Sequence, residues 1–178
     1  MALNNIHEII LVNEKDEQVG TAEKMEAHYK ALLHRAFSVF IFNTNGEMLL
    51  QQRALTKYHS AGLWTNACCS HPRPGEETIN GAKRRLKEEL GFTAEIKKAF
   101  DFTYSAGFDN GLTENEFDHV FTGIYDGPIE PNPGEVMAYS YKSMKEIKEE
   151  LIANPQLYTA WFIIAFPKIE EYLAEKYY

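Results

Sequence analysis

Cys69 and His71 stand two residues apart in the stretch Trp64-Thr65-Asn66-Ala67-Cys68-Cys69-Ser70-His71-Pro72-Arg73-Pro74-Gly75. That stretch runs through Glu76 into a segment ending Arg84-Arg85-Leu86-Lys87-Glu88-Glu89-Leu90-Gly91. A thiol and an imidazole suit proton transfer or metal binding. Arg85 and Glu89 share a helix face, so Glu89 can hold a divalent cation while Arg85 reaches a phosphate on that cation. The same pair alone reads as a surface ion pair worth only about 0.3–0.5 kcal/mol. Downstream, Glu114 and Glu116 alternate in a strand-like segment, so both project to one side about 7 Å apart and can bracket a metal. Taken alone, they and Asp118 read more simply as the solvated edge of a strand. His28, His34 and His71 are the other candidate ligands. Three imidazoles and two carboxylates suit Mn²⁺ or Zn²⁺ better than Mg²⁺, which prefers oxygen.

The elements that must position these groups follow from local pattern. Strands are predicted over 8–12, 37–42, 48–53, 94–104, 114–125 and 138–141. Asn43-Thr44-Asn45-Gly46 reads as a hairpin turn, and 13–17 as another. Residues 23–33 read as a helix or turn, and the whole Cys/His stretch as a loop. The clearest helix is 78–90, with Ile79, Ala82, Leu86 and Leu90 as its apolar stripe and Gly91 beyond its end. Helices are also predicted over 144–152 and 159–176, the last bent or split at Pro167. The order implies an α/β fold, a mixed β-sheet sandwiched between α-helices.

At 178 residues the chain reads as a single domain able to bury a core. Within it we take an N-terminal strand and helix extension over 1–34, a core over about 35–150 and a helical cover over 151–178. A net charge of −8 argues against nucleic acid or an anionic membrane as partner, while leaving room for a small anion held by a few local cations. The first five residues lack the regions of a signal peptide, and the apolar run 161–166 is too short to span a membrane. Adjacent cysteines rarely bridge, so Cys68 and Cys69 read as reduced thiols in a cytoplasmic protein. No surface stripe demands a protein partner, and a monomer is expected.

Glu76, seven residues, then Arg84 through Phe92 resembles the Nudix signature, a loop–helix–loop that handles metal-bound diphosphates. Two positions depart from it: Ser70 stands for the leading Gly, and Arg85 for a metal-holding Glu of the hydrolases. With Trp64-Thr65-Asn66, Cys69-Ser70-His71-Pro72 and Glu114-Asn115-Glu116, the chain resembles the type 1 isopentenyl-diphosphate isomerases from residue 23 to about 161. The resemblance implies a Nudix fold, isopentenyl and dimethylallyl diphosphates as substrates, and proton transfer by Cys69 and Glu116 through a tertiary carbocation. It assigns Tyr104 to hydrogen-bond the proton-transfer pair and Trp161 to face the cation. His28, His34, His71, Glu114 and Glu116 would hold Mn²⁺ or Zn²⁺, and Glu89 with the backbone carbonyl of Cys69 would hold Mg²⁺. Lys24, Arg53, Lys57 and Arg85 would bind the diphosphate. The Trp161 segment is expected to close over the site and exclude water. His7, His59 and His119 match nothing in the resemblance and are taken as structural, as is Cys68. The competing readings are a Nudix hydrolase, against which Arg85 stands, and a metal- or ligand-binding module without turnover.

Overall fold

The computed structural model describes residues 8–177. Strands β1 (Glu8–Val12) and β2 (Gln18–Glu23) form an antiparallel hairpin. Its turn is closed by the Asn13 side-chain oxygen, which accepts the amides of Lys15 and Glu17. The Glu23 carboxylate caps the short helix α1 (Lys24–Tyr29) by accepting the Glu26 amide. The chain then enters β3 (His34–Phe42), the axis of the sheet. β4 (Met48–Arg53) follows a tight turn in which the Asn43 side chain accepts the amides of Asn45 and Glu47. β5 (Trp64–Asn66), β6 (Cys68–Ser70) and α2 (Thr78–Leu90) come next, then the long hairpin β7 (Ile96–Gly107) and β8 (Thr113–Ile124). β9 (Val136–Lys142), α3 (Met144–Ala153), a 3-10 turn (Pro155–Leu157) and α4 (Ala160–Tyr177) complete the chain.

All nine strands join one sheet. β8 runs parallel to β3 along its whole length, with His34 opposite Glu116 and Phe42 opposite Ile124. β6 pairs antiparallel to β3, with Ser38 opposite Cys69. Ser38 is thus paired on both sides, and β6 and β8 lie on opposite edges of β3. β4 continues the sheet to β5 and β9.

The unbroken apolar run of β3 has a physical reason: both faces of the sheet are covered. Phe37, Val39 and Ile41 pack with Leu86 and Leu90 of α2. Phe40 and Phe42 turn the other way, onto Phe162, Phe166 and Ile169 of α4. The sheet therefore lies between helical layers, as expected for the α/β class.

Three local expectations are corrected. Gln18–Glu23 is a strand without a strand-like sequence; it pairs only with β1, and its apolar content is too low to mark it. The Cys/His stretch holds two three-residue strands because β3 and β4 supply the hydrogen-bonding partners. Pro167 neither splits nor ends α4: the carbonyl it leaves without a donor belongs to exposed Ile163, where water can satisfy it. Gly91 does end α2, at φ 79° and with its amide bonded to the Lys87 carbonyl. A Cβ there would come within 2.4 Å of the Glu130 carbonyl oxygen, so only glycine fits.

Candidate active site

His28 sits at the end of α1, His34 opens β3, His71 follows β6, and Glu116 lies on β8 beside His34. One ligand atom from each of these four lies within 4.8 Å of the others. Backbone acceptors set the two inner rings. His28 Nδ1 lies 2.6 Å from the Lys24 carbonyl and His34 Nδ1 2.8 Å from the Leu32 carbonyl. A carbonyl can only accept, so each Nδ1 carries the proton and each Nε2 presents a lone pair. Both Nε2 atoms are buried without a hydrogen-bond partner. His71 Nε2 is 3.0 Å and His34 Nε2 3.4 Å from Glu116 Oε1. Neutral imidazole lone pairs converging on a carboxylate fit a divalent cation. Glu114 stands beside this group rather than in it, hydrogen-bonded to the Tyr104 hydroxyl at 3.1 Å.

The remaining candidates surround one cavity. Lys24, Arg53, Lys57, Cys69, His71, Arg85, Glu89, Tyr104, Glu114, Glu116 and Trp161 all line it. Cys69 reaches it from one edge of β3 and Glu116 from the other. The Tyr104 hydroxyl donates to Glu116 Oε2 at 2.6 Å. Trp161, in the first turn of α4, makes a cation–π contact with the Arg53 guanidinium, 5.2 Å from its ring centre.

Burial separates the titrations here. It pushes the Cys69 thiol far up, and the Asp118 carboxyl adds to this. Burial, then the neighbouring Glu116 charge, pushes Glu114 well above the usual carboxylate range. Burial acts the same way on Glu116, but the His34 and His71 rings beside its carboxylate outweigh it and hold the group well below that range. His71 is lowered to about 3 by burial, which keeps it neutral. The surroundings thus favour the protonated form of Glu114 and the ionised form of Glu116.

The cationic side is arranged for an anion. Lys57 and Arg85 reach Glu135 at 2.5 and 3.4 Å, and Arg85 also meets Glu89 at 2.7 Å. Arg53 Nε and Arg85 Nε are buried without acceptors. The Lys24 ammonium, its pKa lowered by burial and by Arg85, sits over the Tyr58 ring. Gln51 donates to Glu89 Oε2 at 2.8 Å and holds that carboxylate at the cavity.

Several residues at the site carry no signal in the sequence. His59 belongs to the cavity wall: its ring stacks on Phe108, meets Trp161 edge to face, and its Nε2 is 3.4 Å from Glu114 Oε1. Asp118 is not at a solvated edge. It is buried between strands and accepts the Ser38 hydroxyl at 2.7 Å. His119 is held by Asp16 and Lys98 away from the cavity, a structural role as expected, and Cys68 is buried in the α2-side core. His7 lies outside the described residues.

The loop carrying His71 is anchored to α2. Arg84 Nε and Nη2 donate to the two Glu76 oxygens at 2.8 and 2.9 Å, and Glu76 also accepts the Arg73 amide. Arg84 above all holds the Glu76 carboxyl below its ordinary value, against partial burial. Its stabilisation is therefore complete above the unfolded-state pKa and is lost as pH falls through the depressed folded pKa. Glu76→Gln is expected to cost about 1–2 kcal/mol at pH 7. That penalty should vanish in acid, as read from urea unfolding of both proteins at neutral and acidic pH. An equal penalty at both would remove the ionic account.

The NUDIX domain family model matches residues 32–162. An isopentenyl-diphosphate Delta-isomerase of Pectobacterium atrosepticum is 49% identical over 165 residues, covering 93% of this chain and 92% of its own length. The chain belongs to this isomerase family. A Serratia proteamaculans member is 48% identical and covers 87% of each chain. Among solved structures, a Deinococcus radiodurans protein superposes with a TM-score of 0.76 at 17% identity, covering 90% of this chain and 98% of its own. A MutT protein from Methanosarcina mazei gives 0.65 at 22%, covering 82% and 96%. At such identities these two establish the shared NUDIX fold alone. Among the described residues no helix is long and apolar enough to cross a membrane.

Proposed function

We propose that the chain interconverts isopentenyl and dimethylallyl diphosphates by adding a proton to one end of the allylic unit and removing one from the other. The observation that carries this is the pairing of a half-buried thiol and a buried carboxylate in one cavity with guanidinium groups whose buried Nε atoms lack acceptors. Towards dimethylallyl diphosphate, the Cys69 S–H gives its proton to C4, leaving a tertiary cation at C3. The Glu116 carboxylate then takes a proton from C2, and the C2–C3 double bond forms. The reverse direction exchanges the two roles. The Tyr104 hydroxyl steadies the Glu116 carboxylate between transfers. The Trp161 face, aided by exclusion of water, stabilises the cation by about 2 kcal/mol. Lys24, Arg53, Lys57 and Arg85 hold the diphosphate.

His28, His34, His71 and Glu116, with Glu114 adjacent, would hold Mn²⁺ or Zn²⁺, and Glu89 with the Cys69 carbonyl would hold Mg²⁺. When bound, such cations orient the Glu116 carboxylate and neutralise diphosphate charge. The working form is taken to be a cytoplasmic monomer, a reading supported by two free thiols.

The test is NMR of the purified protein in D₂O with Mg²⁺, Mn²⁺ or Zn²⁺ and isopentenyl diphosphate. New allylic methyl signals, deuterium in the carbon skeleton and an unchanged diphosphate phosphorus spectrum are expected. Release of free phosphate would replace this reading with hydrolysis.

A further inference from the structure

Cys69 Sγ donates to the Asn66 side-chain oxygen at 3.0 Å. Asn66 has no freedom to turn that oxygen away. Its two N–H groups are both spent, on the Val39 carbonyl of β3 and the Cys68 carbonyl, each at 3.0 Å. A flipped amide would set its oxygen against two carbonyls and its N–H groups towards the thiol. The same oxygen accepts the Thr65 hydroxyl at 2.9 Å, and the Thr65 oxygen accepts the Thr159 hydroxyl at 3.1 Å. Thr159 precedes α4, and its oxygen accepts the Phe162 amide at 3.4 Å. The hydroxyl chain and the thiol thus donate to one shared acceptor, the Asn66 oxygen, and Thr65, Asn66 and Thr159 are all buried. On the other side of the sulfur, Ser38 donates to Asp118 and its oxygen lies at 3.4 Å, farther than the 3.0 Å of the Asn66 oxygen that takes the thiol's one proton.

We propose that Asn66, backed by Thr65 and Thr159, is a positioning residue for Cys69. Its locked side-chain oxygen fixes the direction of the S–H bond, and the hydroxyl chain ties that direction to the start of α4, where Trp161 sits. The thiol on one wall of the cavity and the ring on the other are thereby set by one continuous buried network. This rests on Cys69 as a proton carrier, and the test separates the two.

The test combines steady-state kinetics with the infrared S–H stretch, a region free of other protein bands. Cys69→Ala identifies the Cys69 band and tests the underlying reading by activity. In wild type that band is expected below the frequency of a free thiol. Thr65→Val keeps the side-chain volume while removing one link. It is expected to raise the Cys69 band and to lower kcat about threefold to tenfold, with KM within about twofold. Asn66→Ala is expected to lower kcat by about tenfold to a hundredfold, again without a matching rise in KM. A Cys69 band at the free-thiol frequency in wild type overturns the proposal, even if Asn66→Ala does not fold. So does a Thr65→Val protein with an unmoved band, or an Asn66→Ala protein whose loss lies in KM. Full activity in Cys69→Ala would instead remove the proton-carrier reading.

Discussion

Glu116→Gln is expected to lower kcat for isomerisation by about 10²–10⁴-fold while leaving the fold intact. The substitution nearly preserves shape. The amide it introduces can still accept the Tyr104 hydroxyl and face His71, whose ring lies 3.0 Å from the present carboxylate. What it cannot do is take a proton from C2. Some stability should be lost as well, because the native surroundings favour the ionised carboxylate, so rates are compared where both proteins are folded. The readout is the rate of deuterium incorporation in D₂O, with circular dichroism and urea unfolding as checks on the fold. The Tyr104 hydroxyl also reaches Glu114, which makes Glu114 the one neighbour placed to receive the proton instead. That bypass is opposed by burial, which still raises Glu114 once the Glu116 charge is gone, and a protonated carboxyl is no base. Activity above a tenth of wild type in Glu116→Gln would end the assignment of Glu116 as base.

The second large effect concerns stability. Mn²⁺ or Zn²⁺ added to chelator-treated protein at a thousandfold excess over Kd should stabilise it by about 4 kcal/mol. For a chain of this length that corresponds to roughly 8–16 °C in Tm. The reason lies in the metal-free geometry. His28 Nε2 and His34 Nε2 are buried and unsatisfied, and each such atom costs about 1–3 kcal/mol. A cation relieves both at once, and unfolding must release it. Mg²⁺ at the same concentration should shift Tm far less, since an imidazole-rich set suits it poorly. In His34→Ala the shift with Mn²⁺ or Zn²⁺ should disappear. Differential scanning calorimetry of both proteins, with and without each ion, gives the answer. An equal shift in His34→Ala would place binding elsewhere.

What could be read from the residues depended on whether the relevant partner was local. The β3 run Phe37 to Phe42 announces a strand covered on both faces, and the 78–90 stripe with Gly91 announces a helix and its end. Both signals sit within a dozen residues. β2 has no such signal, because Gln18 and Val19 are exposed and only the β1 ladder holds the segment extended. Asp118 shows the limit of alternation: period two separates the faces of a strand but does not tell an edge from an interior position. Only the long-range pairing of β8 with β3 buries it. The site divides the same way. His71, Cys69, Arg85 and Glu89 announce themselves by spacing within one motif. His59 does not, because the groups that give it a place are Phe108, Glu114 and Trp161, all about 50 residues or more away.

The positions of the site residues along the chain also set an order of assembly during synthesis. The four residues of the candidate cation group are all present once Glu116 has emerged, whereas Trp161 follows 161 − 116 = 45 residues later. At ~5–20 residues per second that interval is roughly 2–9 s. During it the sheet face formed by Phe40, Leu50 and Val120 still awaits α4. Ribosome-arrested chains cut short before α4 and probed for ion-dependent protease protection would report whether His34 and Glu116 have already met. Protection by ions in such chains would mean that this group is assembled before the last helix covers the cavity.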